Sequence, residues 1–194
     1  MPEENRKALH RLDPRLPLVI DTRELGRRPG SMRALARSVP APADLGVDVL
    51  GVPEGSPLDL DLRLESVMEG VLVSGTARTE VTGECVRCLD PISSPLVVDI
   101  QELFAYPGNE VHDDETELRP LEGDLLDLEP VVRDAVVLAL PFKPVCREDC
   151  PGLCSECGAR LADDPGHRHE VADTRWAALR ELAPDLVDDK TEER

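Results

Sequence analysis

The chain has 194 residues, six of them cysteine, and a formal net charge of −18. Its length suits one sizeable domain with or without a small appendage, and its charge excludes a wholly basic nucleic-acid binder. It has no run of about 18 apolar residues to span a membrane, and the polar start MPEENRKALHRLDPR lacks the apolar core of a secretory signal.

The expected location is therefore cytoplasmic. In that compartment clustered cysteine pairs hold metal or do redox work more often than they form disulfides.

In chain order, Leu16–Asp21 is a short apolar run that reads as a strand, and Arg27–Gly30 is a basic turn. Met32–Val39 alternates weakly and fits a strand or a short helix, ended by Pro40 and Pro42; Leu45–Val52 fits a strand or an exposed connection. The clearest signal is Leu58–Leu64, where leucines at every second position face away from Asp59, Asp61 and Arg63. Strict alternation predicts a half-buried strand of an antiparallel sheet. Val71–Val81 continues the pattern, with Gly75 suggesting a bulge or bend. Leu96–Phe104 gives a third alternating strand, which places Cys85 and Cys88 at the tip of a β-hairpin.

Residues 106–123 are acidic and carry Pro107, Gly108 and Pro120, which predicts a mobile, solvated loop. Asp127 is the expected N-cap of a helix in which Leu128, Val131, Val132, Ala135, Val136 and Ala139 recur at helical spacing. This helix should pack on the sheet and stop before Pro141. A final short helix is expected from Asp173 or Thr174 to Pro184, with Trp176 and Leu179 on one face, followed by a disordered tail at 185–194. The predicted fold is α+β. An antiparallel sheet and one helix occupy residues 1–140, with the acidic loop at 106–123, and a zinc-knuckle module with its short helix occupies 141–184.

The chemistry centres on CREDCPGLCSEC, Cys146 to Cys157, and on the upstream Cys85-x-x-Cys88. Zinc takes four ligands in a tetrahedron, and two short cysteine turns can close such a site. One solution is local, with Cys146, Cys150, Cys154 and Cys157 on one zinc. The other joins Cys85 and Cys88 to Cys154 and Cys157, leaving Cys146 and Cys150 spare or paired with His167 or His169. The short loops favour the local set. Either site is closed, hence structural rather than catalytic. Gly158 suits the left-handed turn after Cys157.

A redox role needs a helix after the first cysteine pair, and Pro91 argues against one. A zinc deaminase would need H-x-E ahead of its C-x-x-C, whereas His167 and His169 follow the cysteines. No nucleotide-binding glycine loop or nucleophile elbow is present, so no catalytic residue is assigned.

Residues 1–37 hold nine basic and five acidic side chains, against 13 and 35 in the remainder. Arg23, Arg27, Arg28 and Arg33 are therefore the candidates for RNA contact, because guanidinium forks match phosphate oxygens. The alternative is a solvated charged surface.

The segments VIDTRELGRRPGSMR, ECVRCLDPI, LALPFKPVCREDCPGLCSECGARL and DTRWAALREL together resemble the YceD family of large-ribosomal-RNA-subunit accumulation proteins. The resemblance covers about residues 16–182. It implies a non-enzymatic bacterial ribosome-biogenesis factor that supports the large-subunit ribosomal RNA. Its expected partner is the RNA precursor or a large-subunit ribosomal protein, with no membrane and no small-molecule substrate. Relatives that keep the C-x-R-C turn without the full downstream cluster favour the local four-cysteine site. The alternative to RNA contact is an acidic protein–protein adaptor carrying a structural zinc.

Overall fold

The computed structural model describes residues 12–109 and 118–169. The expected final helix and charged tail lie outside these residues. The described chain falls into two compact units that divide after Cys150. Residues 141–150 therefore belong with the first unit, not with the C-terminal module expected to begin at Pro141.

The first unit is built on a seven-stranded sheet. Its strands are β2 (Met32–Pro40), β3 (Leu45–Val47), β4 (Leu50–Val52), β5 (Pro57–Ser66), β6 (Gly70–Glu84), β7 (Pro91–Ala105) and β8 (Arg119–Pro120). All neighbours are antiparallel except β7 and β8, which pair in parallel. A separate two-stranded sheet pairs β1 (Val19–Asp21) with β9 (Leu125–Asp127).

β6 is the organising strand. One edge pairs with β7 from end to end; the other pairs first with β5 and then with β4. The alternating leucines of β5 explain the buried face. Leu58, Leu60, Leu62 and Leu64 are each at most 2% exposed and pack with Val73, Ala77, Val98, Ile100 and Phe104. Each fully buried leucine contributes about 1.5–3 kcal/mol by leaving water. Gly75 makes no bulge, because pairing runs unbroken from Leu62 through Gly75 to Ile100. A Cβ there would lie 2.1 Å from the Asp61 carbonyl oxygen, so the glycine serves a close strand approach.

β2 is a strand, and it turns Arg33, Leu35, Arg37 and Val39 inward while Met32, Ala34 and Ala36 face solvent. The two arginines sit at the rim of the core and tether β1 to the main sheet. Arg37 Nη2 donates to the Pro17 carbonyl at 2.6 Å and to the Val19 carbonyl at 3.5 Å, and Arg33 Nη1 donates to the Asp21 carbonyl at 3.4 Å. Burial lowers the pKa of Arg37.

Helix α1 (Glu129–Ala139) packs on β7 and β3 through Val131, Val132 and Val136. Its N-cap is Leu128, one residue later than expected. Asp127 still serves the helix start, since its Oδ1 accepts the Glu129 amide at 2.9 Å. The helix ends before Pro141, as its pattern predicts. The acidic stretch differs from a wholly solvated loop. Its described end forms β8 along β7, and Leu121 is 3% exposed in the core.

Candidate metal centre

Among the described residues, two groups of ligand atoms converge, one in each unit. In the first unit, the sulfurs of Cys85, Cys88, Cys146 and Cys150 all lie within 4.8 Å of one another. In the second, Cys154, Cys157, His167 and His169 do the same. Neither grouping is one of the two expected from sequence. Cys146 and Cys150 join the upstream pair rather than their neighbours in CREDCPGLCSEC, and Cys154 and Cys157 join two histidines.

The physical reason is a set of long-range hydrogen bonds. The long hairpin β6–β7 carries Cys85 and Cys88 at its tip, and the chain leaving α1 passes beside that tip. Val86 N donates to the Pro144 carbonyl at 2.9 Å. Arg87 Nη1 donates to the carbonyls of Glu148 at 3.1 Å and Cys150 at 2.9 Å. Ile92 and Val145 pack against the cluster. Cys85, Cys88 and Cys150 are buried, while Cys146 is exposed.

The first group fits a tetrahedral metal. Cys85 Sγ lies 3.9 Å from Cys150 Sγ, and Cys88 Sγ lies 3.7 Å from Cys146 Sγ. Four thiolates at about 2.3 Å from a zinc ion stand about 3.8 Å apart. Both distances are far from the roughly 2.0 Å of a disulfide, and all six cysteines are free thiols.

The local electrostatics point the same way. Burial pushes the Cys85 thiol up, but the backbone N–H groups of Cys146, Cys88 and Arg87 outweigh it and bring it down to about 6. For Cys88 the Asp90 amide lowers the pKa, yet burial and the crowding sulfurs of Cys85 and Cys150 raise it to about 12. Amides aimed at one sulfur, with others crowded around it, favour a set of thiolates only when a cation neutralises them.

The cysteine turns of the two units repeat one geometry. In the first, Cys85 N donates to the Asp90 carbonyl at 2.8 Å, Leu89 N donates to the Cys85 carbonyl at 2.8 Å, and Leu89 has φ 61. In the second, Cys154 N donates to the Ala159 carbonyl at 2.8 Å, Gly158 N donates to the Cys154 carbonyl at 2.9 Å, and Gly158 has φ 73. The amides of Cys157 and Glu156 pull Cys154 down to about 6 despite burial, with help from His167. Gly158 was legible as a left-handed position, whereas Leu89 hid the same role because leucine rarely takes it. The Cys85 turn leads into strand β7, not a helix, so it lacks the dipole that activates a redox thiol.

The arginine candidates belong to the first unit and are largely paired with acids. Arg23 holds Asp21 through its guanidinium, with Nε 2.8 Å from Oδ2, and its bond to the carboxylate keeps the Asp21 pKa below its ordinary value. Arg27 pairs with Asp124 at 3.0 Å and lies over the Tyr106 ring at 5.2 Å. Arg33 pairs with Glu24 at 3.1 Å. Arg28 is exposed. Beside them runs an open groove of about 750 Å³, whose described lining includes Asp13, Asp21, Glu122, Asp124 and Arg23.

Residues 73–183 match the family described as large ribosomal RNA subunit accumulation protein YceD. The chain belongs to the YceD family. An uncharacterized protein of Mycobacterium tuberculosis is 49% identical over 168 residues, which is 86% of this chain and 81% of the relative. One of Mycobacterium leprae is 45% identical over 173 residues, covering 88% and 80%. A chloroplastic protein of Arabidopsis thaliana, named large ribosomal RNA subunit accumulation protein YCED homolog 1, is 26% identical over 142 residues, covering 59% and 44%. No solved structure matches the chain. The YceD match spans all eight residues of the two ligand groups and leaves the four arginine candidates outside it. Among the described residues no helix is long and apolar enough to cross a membrane.

Proposed function

We propose that this chain is a non-catalytic cytoplasmic factor that supports accumulation of the large-subunit ribosomal RNA by holding a basic large-subunit ribosomal protein. The family supports the role in accumulation of the large-subunit RNA. The observation that carries the choice of a basic protein is the charge arrangement. Arg23, Arg27 and Arg33 already face carboxylates, and the adjacent groove is lined by four acids. A phosphate backbone would have to displace those carboxylates, whereas a lysine- and arginine-rich protein meets complementary charge at Asp13 and Glu122, the two groove acids that these arginines do not pair with.

Zinc at Cys85, Cys88, Cys146 and Cys150 has a structural role in this reading. Thiolate ligands select it over magnesium or calcium, and the closed set of four leaves no open position for substrate. When bound, the ion would fix the hairpin tip against the segment that follows α1.

Depletion of the protein should lower large-subunit RNA relative to small-subunit RNA; an unchanged ratio would remove the family role from this chain. Purified protein should bind basic large-subunit ribosomal proteins with an affinity that falls as salt rises. Direct contact through Arg23, Arg27, Arg28 and Arg33 is the competing outcome. It is established if a salt-dependent shift of precursor RNA appears and disappears when these four are changed to alanine.

A further inference from the structure

We propose that Cys154, Cys157, His167 and His169 form a second metal site, a Cys2His2 centre for zinc, and that this ion orders the C-terminal unit. The inference does not depend on the ribosomal reading or on the four-cysteine site.

Three observations carry it. The first is convergence. Cys157 Sγ lies 3.2 Å from Nε2 of both His167 and His169, and the two Nε2 atoms lie 2.8 Å apart. Hydrogen bonding satisfies such a triangle poorly, because each imidazole nitrogen is either donor or acceptor, never both. A cation among them accepts every lone pair at once. In a zinc tetrahedron the corresponding separations are about 3.5 Å for S–N and about 3.3 Å for N–N. The ligand atoms need to spread by only a few tenths of an ångström.

The second is repetition. The Cys154–Cys157 turn copies the Cys85–Cys88 turn in both backbone hydrogen bonds, in the positive φ of the residue after the second cysteine, and in the amides aimed at the first sulfur. One chain thus builds the same sulfur-holding turn twice, with separate partners.

The third is the lack of a core. Of the described residues 151–169, only Gly152 is buried. The segment is nevertheless turned back on itself, with a bridge between Leu153 and Arg160 and a bond from Leu161 N to the Gly152 carbonyl at 3.1 Å. Ordering so many residues costs conformational entropy that the half-burial of Leu153, Ala159 and Leu161 offsets only in small part. A structural zinc supplies that stabilisation in small modules. Asp164 adds orientation from within the same loop. Its carbonyl accepts the His167 amide at 3.1 Å, and its carboxylate stands 3.8 Å from His167 Nδ1 on the side away from the ligand atom.

The test is metal content of the full chain, with cobalt as a spectroscopic substitute. The purified protein should carry two zinc ions. The pairs Cys154→Ser with Cys157→Ser, and His167→Ala with His169→Ala, should each leave one. Cys85→Ser with Cys88→Ser should leave the other, and its cobalt form should show about half the thiolate-to-metal absorption per ion of a four-cysteine site. Metal-free unsubstituted chain, which avoids any folding defect of the variants, should saturate at two equivalents of cobalt. Saturation at one equivalent with the absorption of a four-thiolate site, or two zinc ions retained in the double-histidine variant, would overturn the proposal.

Discussion

At the scale of single residues, Leu89 carries a conformation that its neighbours require and its side chain resists. The cysteine turn needs a left-handed residue after Cys88, and leucine occupies it at φ 61 while remaining 57% exposed. The left-handed region costs a non-glycine residue about 1–2 kcal/mol, more than the 0.5–1 kcal/mol that glycine's extra freedom costs the folded state. Leu89→Gly should therefore raise stability by about 0.5–1 kcal/mol, read as a higher urea midpoint with unchanged slope. A lower midpoint would mean that the exposed leucine contributes packing the structure does not show. Arg33 and Arg37 give the opposite lesson. In the sequence they extend a basic cluster, but their positions on β2 turn them inward, where they bind the backbone carbonyls of residues 17–21. Composition alone could not separate an arginine that holds the chain from one that meets a partner.

Among elements, the legible parts were those whose pattern is local. Alternation in Leu58–Leu64 and the helical spacing of Val131, Val132 and Val136 each follow from one strand or helix burying one face. The strands β8 and β9 were not legible, because Arg119–Pro120 and Leu125–Asp127 are too short to show a period and exist only through β7 and β1. Metal partnership failed for the same reason. Spacing suggested that Cys146, Cys150, Cys154 and Cys157 close locally. The structure instead pairs Cys146 and Cys150 with cysteines some 60 positions upstream. Gly75 shows how tightly the central strands approach. A methyl group there would overlap the Asp61 carbonyl and lie 2.8 Å from the Leu62 Cα, in backbone that cannot yield without opening the β5–β6 pairing, and φ is 149. Gly75→Ala should cost about 3 kcal/mol or more, visible as a large drop in thermal midpoint. Gly123→Ala, with open space around its Cβ, should cost only about 1 kcal/mol of left-handed strain.

For the molecule as a whole, the two units rest on different sources of stability, and removing metal should expose the difference. The first unit has a continuous apolar core, and its four-cysteine group sits at the tip of the β6–β7 hairpin, the longest pairing in the sheet. Without a metal, the sheet keeps its leucines and valines, but residues 144–150 lose a fastening to the hairpin tip. Cys85→Ser with Cys88→Ser should therefore lower the stability of the sheet by at least about 3 kcal/mol without abolishing it. The second unit has no comparable core among its described residues, so Cys154→Ser with Cys157→Ser should leave the sheet transition where it is. That variant should instead open residues 151–169 to protease. Circular dichroism follows the sheet, and limited proteolysis follows the C-terminal segment. A strong chelator added to the unsubstituted chain should reproduce both effects together. An unshifted sheet transition after chelation would show that the hairpin tip is held by its backbone hydrogen bonds alone, leaving the metal dispensable to this part of the fold.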